Sequence, residues 1–398
     1  MSKSAFVLAT TRTPFGRYGK GLAKIRPDDL AAAVVVDLVD RYVPDTESIN
    51  SVTFGNANGA GEENRNVGRM AALLAGLPVT IPGNTINRLC GSSLDAAISA
   101  AREIETDDAD LVIAGGVESM TRAPWVMLKP EQAFPTGNTE LVSTTLGWRL
   151  TNPKMKSQWT VSLGEANEVI AEKFNITRDR QDEFAMNSHQ RAHAAWESGF
   201  YDPIIASVIG SDLERDENIR AESSIAELAK LKPSFRSNGT ITAGNASPLS
   251  DGASAALIGS ESMAKQLGID PIFRIASRSA VGCEPELFGI APIEAANKAI
   301  ARAGITWSNI SAVELNEAFA AQSLACVDAW GVDPEIVNAM GGAIAIGHPL
   351  GASGLRILGT LVERLRINGK RWGVAAICIG VGQALAVVIE NLASDEAS

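Results

Sequence analysis

The sequence has few of the features that mark a secreted or a nucleic-acid-binding protein. Its four cysteines are spread over 398 residues without paired metal-ligand spacing. We therefore expect no disulfide framework and no metal, and a reducing compartment is favoured. The net charge is −11, whereas a nucleic-acid-binding protein needs a basic surface. These absences predict a cytoplasmic protein without a nucleic-acid partner.

Long hydrophobic runs are also scarce. The amino-terminal apolar run is too short for a secretory signal. The stretch from Trp372 to Ile389 is long enough to be mistaken for a membrane span, but Gly380, Gly382 and Gln383 interrupt its middle. Two buried strands joined by a glycine turn explain this pattern better. We therefore expect no membrane segment.

The first 120 residues alternate between strand-like and helix-like segments. Such alternation predicts βαβ units and a largely parallel sheet. The segments are Ala5 to Ala9 (strand), Asp28 to Asp40 (helix), Ser51 to Asn56 (strand), Ser92 to Ile104 (helix) and Leu111 to Ala114, a strand ending at two glycines.

The character of the sequence changes between Thr121 and Asn245. A proline-punctuated, loop-rich stretch is followed by helix signals from Glu165 to Phe174 and from Arg178 to Ser198. Loops of this length usually carry function, so we interpret the region as an insertion that covers something. The alternating pattern returns after about Pro271.

A weak internal repeat relates the two alternating halves. Ser92 and Leu111 are nineteen positions apart, and so are Ser353 and Trp372. In each half, a glycine-containing turn precedes a helical pattern, which an apolar strand then follows. Two similar halves packed together would bring strand-to-helix turns from both to one site.

Cys90 lies directly before a helical pattern. Free N–H groups and the dipole at a helix N-terminus favour a thiolate there, and they can also hold a developing oxyanion. A lone cysteine is more often a buried apolar residue. The residues considered next favour the reactive interpretation of Cys90.

His348 lies in a glycine-rich loop from Gly341 to Gly354 and is followed by Pro349. Histidine is the usual general base for a cysteine nucleophile. The other two histidines, His189 and His193, are one helical turn apart, but the glutamate of the zinc-protease pattern is missing. We interpret them as a plain helix surface.

Cys378 and Asn316 each lie at the end of an apolar, strand-like run. Cys378 could be a buried thiol, or a second reactive thiol that transfers protons to and from carbon or sulfur. Asn316 could orient a water or an oxyanion donor.

These pieces together resemble the thiolases over essentially the whole chain. The motifs that carry the resemblance are Asn87 to Cys90, Gly115 to Met120, Asn316 to Phe319, Gly341 to Gly354, and Cys378 to Gly380.

The resemblance implies an α/β protein with the thiolase fold, in which two duplicated βαβ-type core domains form a five-layer αβαβα arrangement. Residues 1–120 and 246–270 would form the N-terminal core domain and 271–398 the C-terminal one. Residues 121–245 would form an inserted loop domain that binds coenzyme A. A homodimer or homotetramer is expected, and coenzyme A and acetyl-CoA serve as substrates without any metal or redox cofactor.

The resemblance also implies reversible Claisen chemistry on CoA thioesters. Cys90 would attack the 3-keto carbonyl and become acylated, while His348 takes its proton. Cys378 would protonate the departing acetyl-CoA enolate and then deprotonate the incoming CoA thiol. Asn316, through a water, and His348 would form one oxyanion hole, and the backbone N–H groups of Cys90 and Gly380 the other.

Coenzyme A contacts of the family match five positions here. Arg220 would face phosphate or the adenine, although an ion pair with a neighbouring acidic residue is the plain alternative. The matching positions are Arg220, Phe235, Ala243, Ser247 and Phe319.

Two segments, Ala60 to Val67 and Thr144 to Arg149, look most like the thiolases that cleave 3-oxoadipyl-CoA. A substrate with a terminal carboxylate needs a local cation, and Arg149 and Lys156 are possible suppliers. Loop packing or a subunit contact would explain the same segment. The acyl-pocket histidine of biosynthetic thiolases is absent where Ser162 to Gly164 stand.

The sequence departs from the family pattern at Ser92-Ser93, at Pro248 and at Ala384, which concerns pocket width and helix entry rather than chemistry. A biosynthetic acetoacetyl-CoA thiolase is the nearest alternative. A decarboxylating condensing enzyme would need a second active-site histidine. A non-catalytic acyl-CoA or lipid carrier would be expected to lack Cys90, His348 or Cys378.

Overall fold

The computed structural model describes residues 3–394. Pro27 occupies the first turn of α1 together with two aspartates, as the dipole and the missing proline N–H favour. The elements before residue 200 are β1 (Phe6–Arg12), β2 (Gly16–Arg17), α1 (Pro27–Tyr42), β3 (Ser51–Gly55), α2 (Val67–Leu74), β4 (Gly83–Ile86), α3 (Ser92–Glu105), β5 (Leu111–Ser119), β6 (Trp125–Val126), β7 (Val142–Ser143), α4 (Leu163–Lys173) and α5 (Arg178–Glu197).

The later elements complete the second half of the fold. They are α6 (Ile225–Leu228), β8 (Ser250–Gly259), α7 (Glu261–Gln266), β9 (Phe273–Gly282), α8 (Ala291–Arg302), β10 (Ile310–Leu315), α9 (Ala320–Trp330), α10 (Ala343–Ile346), α11 (Ser353–Asn368), β11 (Trp372–Ile379) and β12 (Gln383–Asn391). β11 and β12 are the two buried strands expected from the glycine-interrupted apolar run. No helix among residues 3–394 is long and apolar enough to cross a membrane.

Ten strands form one mixed sheet in two halves. The order is β10-β11-β12-β9 in one half and β1-β8-β5-β3-β4 in the other, and β2 pairs with β8. The halves meet where Phe6 of β1 pairs with Arg274 of β9. The expectation of a largely parallel sheet is wrong: β8, β9 and β12 run antiparallel to their neighbours. A short turn rather than a crossover helix connects β11 to β12, which forces that pair to be antiparallel.

The helices form three layers around the two halves of the sheet. α3 and α11 lie between the halves and share one core with strands of both. α1 and α2 cover the outer face of the first half, and α8 and α9 cover that of the second. The architecture is therefore α/β/α/β/α, and each half of the sheet is buried on both faces.

The internal repeat corresponds to equivalent units of structure. α3 begins at Ser92 and β5 at Leu111, while α11 begins at Ser353 and β11 at Trp372. β5 continues to Ser119, beyond the glycines at which we expected it to end, because it pairs with β8 over its whole length. Both helices start in the central layer, so the turns before them face the same region.

Residues 121–245 contribute no strand to the large sheet, since β6 and β7 pair with each other. We infer that this segment is the inserted domain. α4 packs against α9, and α5 packs against α9 and α10, so the segment is anchored on the second half of the fold.

Candidate active site

Cys90 lies in one turn of 3-10 helix, Leu89–Gly91, that leads directly into α3. Leu89 has a positive φ of 46°, a conformation that a leucine rarely adopts. The side chain of Asn87 stabilises it by accepting a hydrogen bond from the Leu89 N–H at 3.0 Å. Such backbone strain is often found at functional sites, and here it sets the direction of the residue that follows.

The thiol of Cys90 is protonated in the free protein. Burial raises its pKa to about 11, the charge of Glu118 adds to this, and the N–H groups of Gly380 and Cys90 itself act in the opposite direction. The backbone N–H groups favour the thiolate, as expected, but desolvation outweighs them. Cys90 needs a base.

His348 has its ring orientation and its proton set by Ser353. The Ser353 hydroxyl donates to the carbonyl of Pro349 at 3.0 Å, and its oxygen lies 2.6 Å from Nδ1 of His348. A hydroxyl has one proton to donate, so with Ser353 donating to Pro349 we assign the imidazole hydrogen to Nδ1. Nε2 is left with a free lone pair, as a general base requires.

The environment of His348 keeps this ring neutral. Burial lowers its pKa to about 3, and the charge of Arg356 acts in the same direction. Asn316 lies beside the ring, with its Nδ2 3.4 Å from His348 Nε2. Arg356 donates to Oδ1 of Asn316 at 3.3 Å, which turns the Asn316 N–H groups towards the histidine.

Cys378 is buried close to Cys90. Its thiol donates to Oε1 of Gln322 at 3.5 Å, and the N–H of Ala318 donates to the same oxygen at 3.0 Å. Burial raises the Cys378 pKa well above its ordinary value, and the charge of a Cys90 thiolate would raise it further. Cys378 is thus a neutral thiol, which suits a proton donor.

Cys90 and His348 both line a cavity of about 390 Å³. Three residues expected to contact CoA lie on its walls, namely Phe235, Ser247 and Phe319. The rings of Phe235 and Phe319 meet edge to face, with centroids 6.5 Å apart. Ser162 to Gly164 also line this cavity.

The other two expected CoA positions lie outside that cavity. Ala243 and Arg220 are exposed, and the backbone N–H of Arg220 donates to Nδ1 of His189 at 3.2 Å. Our interpretation of His189 as helix surface is wrong: it is buried, and burial together with the charge of Arg220 lowers its pKa to about 4. His193 is exposed as expected.

A second cavity of about 350 Å³ also opens on Cys90. The two cavities share several lining residues, including Leu146 and Trp148. We therefore describe them as two branches of one cavity, divided by the segment that contains these two residues. Arg149 lines the second branch, whereas the ammonium of Lys156 stacks on Trp159 at 4.4 Å. Among residues 3–394, no group of three or more His, Cys, Asp or Glu side chains is arranged to hold a metal.

Sequence reasoning missed Ser353, Gln322 and Glu118 as parts of the site. Glu118 accepts from the N–H groups of Ala57 and Gly351, both at 2.9 Å, and burial raises its pKa to about 7. It links the segment after β3 to the turn before α11. A charged residue within an otherwise apolar strand was the available signal for Glu118, and none existed for Gln322.

The departure at Ser92-Ser93 has a structural role. Ser92 accepts from the Arg88 N–H at 2.9 Å and donates to the Leu89 carbonyl at 2.6 Å, which closes the turn around Cys90. Ser93 accepts from the Leu355 N–H at 3.0 Å, an amide in the first turn of α11 that lacks a partner within its helix.

Comparison with known proteins places this site in context. Family models described as "Thiolase, N-terminal domain" and "Thiolase, C-terminal domain" match residues 5–262 and 269–391. The chain is 46% identical over 402 residues to a beta-ketoadipyl-CoA thiolase of Acinetobacter baylyi, covering 98% of this chain and 100% of that protein. It is 46% identical over 401 residues to the 3-oxoadipyl-CoA/3-oxo-5,6-dehydrosuberyl-CoA thiolase of Escherichia coli, with the same coverage. The crystal structure of human mitochondrial 3-ketoacyl-CoA thiolase in complex with CoA superposes with a TM-score of 0.92 at 35% identity and covers 98% of each chain.

Proposed function

The chain belongs to the thiolase family of acyltransferases, and we propose that it cleaves 3-oxoadipyl-CoA with CoA to give acetyl-CoA and a carboxylated acyl-CoA. The observation that carries the chemistry is the hydrogen-bonded pair of Ser353 and His348, which directs a free imidazole lone pair to the side of the ring facing Asn316. The substrate class rests on the full-length relatives named for it.

The first half-reaction acylates Cys90. His348 Nε2 takes the thiol proton as sulfur attacks the 3-keto carbon, and the carbon–sulfur bond forms. Because the Cys90 pKa is raised to about 11 and that of His348 lowered to about 3, the pair stays neutral without substrate. Charge develops only as the substrate oxygen becomes an oxyanion, which His348 and an Asn316-bound water stabilise.

The bond between C2 and C3 then breaks, and its electron pair passes to the acetyl-CoA enolate. Cys378 protonates that enolate at carbon, which its buried neutral thiol is suited to do. In the second half-reaction, the Cys378 thiolate left by that protonation takes the proton of an incoming CoA thiol, whose sulfur attacks the acyl-Cys90 thioester. The bond between the acyl carbon and the Cys90 sulfur then breaks, and Cys90 recovers its proton from His348. The N–H groups of Cys90 and Gly380 stabilise the second oxyanion, which is consistent with their effect on the Cys90 thiolate.

The branch lined by Phe235, Ser247 and Phe319 is the proposed path of the CoA arm, and the exposed Ala243 would contact CoA outside it. Arg220 would contact the phosphates or the adenine. Against the ion-pair alternative, the neighbouring Asp216 pairs with Arg12 instead.

Thiolysis assays test the proposal directly. Purified protein is mixed with CoA and with 3-oxoadipyl-CoA, acetoacetyl-CoA or a medium-chain 3-ketoacyl-CoA, and thioester loss is followed. The highest kcat/KM should be that for 3-oxoadipyl-CoA. A preference for acetoacetyl-CoA would support a biosynthetic thiolase instead, and no turnover of any substrate would support an acyl-CoA carrier.

Two variants test the cysteine roles. Cys90→Ser should form no acyl-enzyme detectable by intact mass. Cys378→Ala should still be acylated by an acyl-CoA, but it should not exchange the α-protons of acetyl-CoA with deuterium in the solvent. Normal deuterium exchange by the Cys378 variant would contradict its role as the base.

We propose further that the protein is a cytoplasmic homodimer or homotetramer. Sedimentation velocity of the full chain distinguishes these assemblies from a monomer, and cell fractionation tests the location.

A further inference from the structure

The second branch of the cavity at Cys90 is lined by positive charge only. Its lining includes Asn58, Asn87 and Thr144, but no aspartate or glutamate among residues 3–394, and Arg149 is its one charged residue. We infer that Arg149 binds the terminal carboxylate of the acyl group carried by Cys90 and thereby determines substrate specificity. This inference rests on the proposed function.

The guanidinium of Arg149 is held in place by neutral groups. It is half-buried and donates to the Thr144 carbonyl at 3.3 Å and to Oδ1 of Asn58 at 3.2 Å. Both contacts are long for a charged donor, whose bonds to carboxylates are about 2.7–2.9 Å. An arginine has five N–H donors, so donors and an uncompensated charge remain for a ligand.

The neighbouring arginines differ from Arg149 in this respect. The Nε of Arg88 lies 2.6 Å from Asp95, and Arg122 forms a two-contact ion pair with Glu62. No ion pair links Arg149 to any residue in the described range 3–394. A partly buried cation without a counter-ion is costly, and a carboxylate ligand would remove that cost.

The orientation of Asn58 makes this arrangement rigid. Its Nδ2 donates to the Thr144 carbonyl at 3.1 Å and to Thr144 Oγ1 at 2.9 Å, which leaves Oδ1 for Arg149. Turning the amide over would put two carbonyl oxygens against each other. Thr144 Oγ1 in turn donates to the Pro124 carbonyl at 2.6 Å, so the guanidinium is supported before substrate binds.

The reaction needs two branches with different chemistry. When Cys90 attacks C3, the carbon bears the CoA-containing chain on one side and the rest of the acyl group on the other. After the C2–C3 bond breaks and the enolate is protonated, Cys90 retains a succinyl group from 3-oxoadipyl-CoA. The apolar branch with Phe235 and Phe319 suits the CoA arm, and the branch with Arg149 suits the carboxylate.

The test compares two substrates of equal chain length in two variants. 3-oxoadipyl-CoA ends in a carboxylate, and 3-oxohexanoyl-CoA ends in a methyl group. Arg149→Gln should lower kcat/KM for 3-oxoadipyl-CoA by about 10- to 100-fold, the effect of losing one charge-assisted contact. For 3-oxohexanoyl-CoA the change should stay within about threefold, because glutamine can still donate to the Thr144 carbonyl.

Lys156→Gln is the matched control, since it removes the other candidate cation, which stacks on Trp159 outside this branch. It should leave both values unchanged. Arg149→Lys should retain part of the preference. An equal loss for both substrates in Arg149→Gln would mean that Arg149 only packs the loop, and no loss would also overturn the inference.

The two proposals fail in different ways. If the wild-type protein does not prefer 3-oxoadipyl-CoA over 3-oxohexanoyl-CoA, the proposed substrate class is wrong. If the wild type has the preference and Arg149→Gln retains it, the substrate class stands and the assignment of Arg149 is wrong. Thermal unfolding of each variant confirms that a folded protein is being compared.

Discussion

Replacing Ser353 by alanine tests how the imidazole of His348 is prepared for proton transfer. The serine oxygen lies 2.6 Å from Nδ1, and both residues are buried, so water cannot readily substitute for the lost acceptor. During attack by Cys90 the ring becomes a cation, and a hydrogen bond from a charged group is worth about 1.5–3 kcal/mol. We therefore expect Ser353→Ala to lower kcat/KM for thiolysis by roughly 10- to 150-fold.

The assay separates catalysis from folding. Rapid mixing with 3-ketoacyl-CoA measures Cys90 acylation, which should slow by the same factor. Ser93→Ala is the matched control, because it removes a buried serine hydroxyl that accepts from Leu355 at 3.0 Å without contacting His348. The Ser93→Ala variant should have a lower free energy of unfolding than the wild type, but its Cys90 should still be acylated. If folded Ser353→Ala acylates Cys90 at the wild-type rate, our account of the histidine is wrong.

Further expectations concern stability and pH. Asp216→Ala leaves the guanidinium of Arg12, bonded at 2.6 and 2.7 Å, unpaired in the core and should lower the unfolding free energy by about 3–5 kcal/mol in urea titrations. The buried His189, with its pKa lowered to about 4, binds its proton less readily than the unfolded chain, so its contribution is lost as pH falls from about 6.5 to 4. His189→Gln should therefore gain about 3 kcal/mol relative to wild type between pH 7 and pH 4, and a pH-independent difference would contradict this linkage. A Cβ at Gly116 would lie 2.1 Å from the Gly351 carbonyl, so Gly116→Ala should lower the thermal midpoint by several degrees, as expected for roughly 3 kcal/mol of overpacking.

Elements are predictable from the sequence where the local pattern and the tertiary environment favour the same structure. The glycine-interrupted apolar run forms β11 and β12, as predicted. The nineteen-residue spacing separates the start of a helix from the start of the next strand in both halves. These segments are buried on both faces or lie in the central layer, so periodicity and packing favour the same element. The structure also brings Cys90 and His348 to one cavity, although they are 258 positions apart in sequence.

Other features depend on partners that local patterns do not contain. The pKa of Cys90 is raised because desolvation outweighs the hydrogen bonds from two backbone N–H groups. How deeply a turn is buried depends on the tertiary structure around it. His189 has the helical spacing of a surface residue, yet it accepts from Arg220, thirty-one positions away. The antiparallel course of β8 depends on where the chain returns after the inserted segment. None of these could be read from a window of neighbouring residues.

The duplicated architecture explains why nucleophile and base come from different halves of the chain. α11 approaches α3 closely at Gly354, where a Cβ would lie 2.4 Å from the Leu94 nitrogen. Glu118 accepts from Ala57, which follows β3, and from Gly351, which precedes α11. Cys90 precedes α3 and His348 precedes α11, and both line one cavity. The two similar units thus contribute different residues to the site, the thiol from one and its proposed base from the other.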